Sequence, residues 1–345
     1  MALAPGATNT AAKIRWQDIV ARYASADVRR SIWMVINTLV PFVGLWILMV
    51  FSVRISYLLT LLLAIPTAGF MMRTFIIFHD CGHGSFFKSR KANDAMGIIT
   101  GIINFTPYYR WRHEHAIHHA TSGDLDRRGI GDVYTMTVKE YLEAPWWKKF
   151  GYRVFRNPLA MFLVGPILIF VVVQRFPVPN LGKRELASVW WTNLALALEI
   201  GLLCWAIGWQ TYLMVQLPIL VLGTSMGVWM FYVQHNFDPT YWERQEQWQF
   251  AKAGLDGSSF YKLPRVLQWF TGNIGFHHIH HLSPKIPNYK LPECYQANAI
   301  FHVKPMTLGF SLKSLRLRLW DEDQRIMVGW SALRQYRLRI DQAAG

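Results

Sequence analysis

The sequence predicts an all-α integral membrane protein: four transmembrane helices in two hairpins, a cytoplasmic helical cap carrying three histidine boxes, and one interfacial or re-entrant segment. Three observations lead there. Four apolar runs are long enough to cross a bilayer, and they come in two closely linked pairs. A formal net charge of +15 sits in a 345-residue chain whose mean hydropathy is positive, which suits a membrane protein with its charges crowded onto one side. Ten of the twelve histidines fall in three tight clusters outside those runs.

Taken in order, the first thirty residues are polar and lack the short apolar core of a cleaved signal, so the first apolar run is expected to remain as a span. Ser31–Phe51 and Ser56–Phe78 form one hairpin across a very short link containing Arg54. Leu186–Ile207 and Thr211–Val233 form the second, closed by Gly208, Trp209 and Gln210. Pro41, Pro66 and Pro218 lie inside these runs, as spans tolerate when neighbours satisfy the freed backbone groups. A fifth stretch, Leu159–Phe176, is shorter and broken by Gly165 and Pro166. If all the boxes serve one site they must emerge on one face, and a fifth crossing would separate box three from the others. Leu159–Phe176 is therefore expected to lie in the interface or to re-enter. No linker or composition shift divides the chain. It reads as one domain over 1–345: a polar segment 1–30, the first hairpin 31–78, boxes one and two with the interfacial segment over 79–185, the second hairpin 186–233, and box three with a basic tail over 234–345.

Charge sets the orientation. Lys13, Arg15, Arg22, Arg29 and Arg30 precede the first span, many more lysines and arginines lie between the hairpins, and Arg316, Arg318, Arg334, Arg337 and Arg339 are in the tail, whereas the hairpin links hold one arginine. The positive-inside rule then places both termini and every box in the cytoplasm. Cys81, Cys204 and Cys294 form no CxxC pair and no disulfide framework, as in a reducing compartment.

The boxes carry the chemistry. His79 and His83 are four apart and share a helix face; His115, His118 and His119 fall at i, i+3 and i+4; His277, His280 and His281 repeat that spacing. His235, just past the last span, is a ninth candidate. Nine imidazoles exceed what one ion takes, so two ions with open positions between them fit the count. Imidazole suits iron, zinc, copper and nickel alike, so the metal is not named by histidine alone. Asp80, Glu114, Asp124, Asp126, Asp132 and Asp238 are candidates to orient ligating rings through the second ring nitrogen, and Asp126 and Asp132, among Arg127 and Arg128, read equally well as a solvated charged loop. His278 points off its box's shared face, which favours a supporting role, while a bend before His115 would bring His113 in. His302 has no partner at ligand spacing, and Cys81 reads as a small packed residue. Glu199, inside a span, is expected to hydrogen-bond a neighbouring helix. Trp229, Met230, Phe231 and Tyr232, just before His235, either line a substrate tunnel or pack between helices. No catalytic group beyond the metal centre is evident.

These residues bring a family into view. The box sequences His79-Asp-Cys-Gly-His83-Gly-Ser85, Trp111-Arg-His-Glu-His115-Ala-Ile-His118-His119 and Gly275-Phe-His277-His-Ile-His280-His281-Leu-Ser-Pro284, with Ile286-Pro-Asn-Tyr289 and the Leu315–Asp323 tail, resemble the membrane fatty acid desaturases of the acyl-lipid type, near the Δ12/ω-6 branch. The resemblance implies that the nine histidines hold two iron ions, with O2 as co-substrate, and that a cis double bond is introduced into a long acyl chain. Some relatives carry an asparagine one turn before the ninth histidine; here that position is Phe231. The substrate implied is a fatty acyl lipid or an acyl thioester. The same architecture also serves alkane and carotenoid hydroxylases or ketolases, and a membrane b-type cytochrome is a rival of another class. There is no GxGxxG fingerprint and no His-Pro-Gly-Gly signature, so electrons are expected from a separate carrier, ferredoxin or cytochrome b5. The basic face would attract an acidic carrier or anionic membrane lipid; no nucleic-acid partner is expected.

Overall fold

The computed structural model describes residues 15–336. Lys13, Arg337 and Arg339, counted above in the charge bias, lie outside the described residues. Among the described residues four long helices are apolar enough to cross a membrane: α1 Val28–Ser52, α2 Tyr57–His83, α6 Lys183–Ile207 and α7 Trp209–His235. Between the hairpins lie α3 Arg90–Ile103, α4 Tyr108–Thr121 and α5 Trp146–Phe155; after α7 come the short α8 Arg265–Phe270 and α9 His277–Leu282.

The hydropathic runs mark only part of each helix. Asp27 caps α1 by accepting the backbone N–H groups of Arg29 (3.0 Å) and Arg30 (3.2 Å), which starts the helix before the apolar run. At their other ends α2 and α7 continue without a break past Phe78 and Val233 into the histidines. Hydrophobicity reports where lipid ends, but the backbone ladder continues wherever side chains still pack. Two ligand-bearing segments are thus the stiff ends of spans rather than loops.

The cap departs from a purely helical reading. Tyr261–Lys262 pairs in parallel with Met306–Thr307, and Leu319–Asp321 pairs antiparallel with Ile326–Val328. These strands are too short to carry an alternation signal in the sequence.

Residues Ala160–Arg175 form an irregular helix, two π-helical segments flanking Gly165–Ile167 and a closing 3-10 turn, bent 61° from α5. Both ends of this stretch belong to the histidine end of the bundle. Before it, Arg156 Nη2 donates to Asn236 Oδ1 (2.6 Å), one residue past α7. After it, Arg184 Nη2 donates to Asp94 Oδ2 (3.2 Å) on α3, and the Tyr109 N–H donates to Ser188 Oγ (3.1 Å). The stretch thus begins and ends on contacts at the histidine end of the bundle. The segment first packs on α7 and ends against α6, with Leu159, Leu163, Leu168 and Phe176 exposed on its outer side. Arg110 secures its end by donating from Nη1 to the carbonyls of Val173 (3.1 Å) and Phe176 (2.6 Å).

Box three is positioned by a buried cation. Arg73 of α2 donates from Nε to Thr38 Oγ1 on α1 (3.1 Å) and from Nη1 to the Trp269 carbonyl on α8, and its guanidinium lies 4.0 Å from the Trp269 ring centroid. Cation–π contacts contribute about 0.5–2 kcal/mol, increasing with desolvation. This fixes α8, and through it α9, against the first hairpin.

This topology makes a prediction. In a variant freed of its native cysteines, a membrane-impermeant thiol reagent should reach cysteines placed at Lys183 and at Arg90 from one side of the membrane and at Arg54 from the other. Labelling of Lys183 together with Arg54 would mean that Ala160–Arg175 crosses.

Candidate metal centre

Four helices converge at the end of the bundle. The last turn of α2 presents His79 and His83, α4 presents His115, His118 and His119, α7 ends on His235, and α9 carries His277, His280 and His281. Gly84 stops α2 immediately after His83. It adopts φ 64°, a left-handed conformation open to glycine, and returns its N–H to the Cys81 carbonyl at 2.9 Å. The approach of α2 to α4 is close: a Cβ at Gly82 would stand 2.8 Å from the Trp111 ring.

The nine histidines form two groups whose candidate ligand atoms lie within 4.8 Å of one another. His79, His83, His115, His119 and His280 make one; His118, His235, His277 and His281 make the other. In the first, His119 Nε2 is 3.2 Å from His115 Nε2 and 3.1 Å from His280 Nε2. In the second, His235 Nε2 is 3.2 Å from His118 Nε2 and 2.9 Å from His277 Nε2, which is 3.1 Å from His281 Nε2. Spacings of about 3 Å match neighbouring corners around an ion held by imidazole nitrogens at about 2.1 Å. His83 Nε2 is buried with no hydrogen-bond partner among the described residues, a donor atom free for an ion. The groups are adjacent, with the rings of His119 and His281 stacked at 4.2 Å. Burial first, and then neighbouring imidazoles, push His115, His118, His119, His277, His280 and His281 well below the ordinary histidine pKa. Neutral rings keep their lone pairs for a metal. The residues present fit metal ions at both groups.

Asp80 ties the centre together. Its Oδ1 accepts from His79 Nδ1 (3.0 Å), which turns Nε2 of that ring inward, while Oδ2 accepts from both the backbone N–H (2.7 Å) and Nδ2 (2.8 Å) of Asn288. One carboxylate, 1% exposed, thus joins box one to the segment following box three.

The other candidates lie elsewhere. His113 is exposed, because α4 stays regular through His115 and turns it outward. His278 joins neither group; its Nε2 donates to the Phe301 carbonyl at 2.9 Å. Glu114 lines the main cavity but accepts from Arg110 Nε (3.0 Å) rather than from a histidine. Asp238 accepts the Met327 N–H (3.1 Å) in a separate surface cleft. Asp124 and Asp126 pair with Arg127 and Arg244, and Asp132 accepts the Gly129 N–H. His302 donates to the Tyr295 carbonyl, and Cys81 is fully buried in the core. Glu199 is exposed on α6, with no hydrogen bond to a neighbouring helix among the described residues.

A cavity of about 300 Å³ runs from the histidines between α2, α7 and the bent segment. Met71, Met72, Phe75, Ile76, Ile169 and Phe170 line it, and His79, His115 and His277 are exposed to it, so both groups face the same space. Of the four tunnel candidates, Met230 and Phe231 border it. Phe231 lies 5.1 Å from the rings of both His118 and His235. Tyr232 and Trp229 turn away: the Tyr232 hydroxyl donates to the Ser314 carbonyl (2.8 Å), and the Trp229 indole N–H reaches Tyr261 Oη (3.4 Å). Sequence reasoning assigned no role to Asn288 or Trp111. Trp111, which stacks on His115 at 4.3 Å, stands one turn before that ligand candidate and was legible from spacing alone.

Comparison with known proteins agrees with this geometry. The sequence profile of the family described as "Fatty acid desaturase" matches residues 52–303. A fatty acid desaturase of Bacillus subtilis (strain 168) is 47% identical over 316 residues, covering 91% of this chain and 90% of the relative. An sn-1 acyl-lipid omega-3 desaturase (ferredoxin) of Synechocystis sp. is 30% identical over 65% of this chain and 62% of its own length, and an sn-1 oleoyl-lipid 12-desaturase of the same organism is 27% identical over 63% and 62%. Since the profile covers most of the sequence and a relative nearly half identical spans nine tenths of it, the chain belongs to the fatty acid desaturase family, a family of oxidoreductases.

Proposed function

We propose that this protein is an O2-dependent acyl-lipid desaturase, one domain over 1–345, that holds two iron ions and introduces a cis double bond at the Δ12 position of a long acyl chain. The observation carrying this reading is that two imidazole groups border one apolar cavity at the end of membrane-length helices. His79, His83, His115, His119 and His280 would hold one ion and His118, His235, His277 and His281 the other. Bound iron supplies the redox chemistry with O2 that unactivated methylenes require and that no acid–base group provides.

The rest falls to the protein. The methionine and phenylalanine walls of the cavity take up methylenes and exclude water. Asp80 holds the His79 ring in the orientation a ligand needs. Trp111 stacks on His115 and limits its rotation, and Phe231 covers the cavity side of His118 and His235. The Δ12/ω-6 reading rests on the resemblance of the box sequences to that branch, and an oleoyl-lipid 12-desaturase is among the relatives. Electrons come from a separate carrier. Ferredoxin is favoured over cytochrome b5, because relatives of the acyl-lipid omega-3 type are ferredoxin enzymes. The charge bias places the centre and both termini on the cytoplasmic side.

Three outcomes test this reading. Expression in a host lacking polyunsaturated lipids should yield a new alkene and no alcohol in its fatty acid profile; an alcohol product would indicate a hydroxylase. Replacing His118 or His280 by Ala should abolish desaturation and lower bound iron while the protein still inserts; full activity in either variant would remove the ligand assignment. Asp80→Asn should weaken metal affinity by roughly 10–100-fold, measured by competition with a chelator.

A further inference from the structure

Apart from the histidines, most polar side chains lining the main cavity have protein partners. Asn104 donates from Nδ2 to the Thr100 carbonyl (2.8 Å), Glu114 accepts from Arg110 (3.0 Å), and Asp132 accepts from the Gly129 N–H (2.9 Å). Thr224 donates to the Leu220 carbonyl (2.7 Å) and Gln234 to the Ile274 carbonyl (2.9 Å). Gln174 differs. It is 6% exposed, it lines the cavity, its Oε1 is buried without a partner, and its carboxamide makes no hydrogen bond among the described residues. A buried amide left unpaired is costly, so such a group is expected to meet a polar occupant of the space it faces.

Its backbone is not free to seek another partner. Arg110 binds the carbonyls of Val173 and Phe176, on either side of Gln174, and Arg175 Nη1 donates to Asn193 Oδ1 (3.0 Å) while its Nη2 donates to the Phe105 carbonyl. The amide is presented to the cavity from a clamped frame. A half-turn about its last bond exchanges oxygen for NH2, so the same group can offer a donor. An acyl chain is apolar except at its head, where an ester or thioester carbonyl can accept one hydrogen bond.

We propose that Gln174 is a positioning residue that donates from Nε2 to the carbonyl oxygen at the head of the acyl chain, and so sets how many carbons separate that carbonyl from the histidine groups. The proposal rests on the acyl desaturase reading. It requires the double bond to be counted from the carbonyl end. In an 18-carbon chain Δ12 and ω-6 counting name the same bond, so chain length must be varied to tell them apart.

The test uses purified full-length protein in phosphatidylcholine vesicles, and separately with acyl thioesters, under air and with reduced ferredoxin maintained by a ferredoxin reductase and NADPH. Saturated and monounsaturated chains of two lengths are supplied, and double-bond position is read by mass spectrometry. Wild type should place the bond at one count from the carbonyl in both lengths. Gln174→Leu should spread it over neighbouring positions and raise KM about tenfold, with kcat within about twofold and iron content unchanged. These effects should appear on whichever carrier, lipid or thioester, the wild type turns over. Gln174→Met, closer in shape, should do the same and serves if the leucine variant fails to accumulate. A wild type that counts from the methyl end, or variants with wild-type fidelity and KM, would overturn the carbonyl contact and leave the desaturase reading standing. A wild type that forms no alkene would sink both.

Discussion

Seven of the nine imidazoles stand nitrogen to nitrogen at about 3 Å, an arrangement whose lone pairs a metal ion at the centre of each group would take. The rings on α4 and α9 that join the two groups lose hydration on burial, and their protonation is suppressed by that desolvation and by neighbouring rings. Without an acceptor at their centres, the two groups would be a concentrated cost. The remainder of the fold can be understood as the means of holding that arrangement: two spans that stay helical up to the ligands, a buried arginine that pins α8, and a carboxylate that reaches across to Asn288.

Asp80 shows how such a centre is assembled from distant parts of the chain. With 1% exposure and three hydrogen bonds, its charge is compensated by donors rather than by a counter-ion. Breaking one contact leaves the others attached to a buried charge, so the residue couples the orientation of a ring to the seating of the segment after box three. Arg110 acts similarly on the other side. It binds Glu114 on its own helix and two carbonyls of the bent segment, and thereby ties the floor of the cavity to the helix carrying three of the imidazoles.

Much of this was legible in the sequence, and the reasons are physical. Spans announce themselves by apolar length, and the boxes by i, i+3, i+4 spacing, because both are periodic properties of one segment. Parity, once the boxes share a site, is the reason to expect Leu159–Phe176 in the interface or re-entering, and contacts at both its ends lie at the histidine end. What the sequence did not show depends on a second segment. Glu114 and Asp238 stand at plausible distances along the chain, yet they are bound to Arg110 and to the Met327 backbone. Tyr232 and Trp229 are as aromatic as Phe231, but Ser314 and Tyr261 draw their polar tips away. Gln174 carries no local signal at all; it is singled out only when the partners of its neighbours are known.

The glycine at position 82 has a wider consequence. It binds nothing, yet the space a methyl group would fill is occupied by the Trp111 ring. That ring also stacks on His115, so the distance between the first two ligand-bearing helices is gauged by an indole resting on bare backbone. The fourth letter of the first box is in this sense a spacer: its contribution to the chemistry is the thickness it does not have.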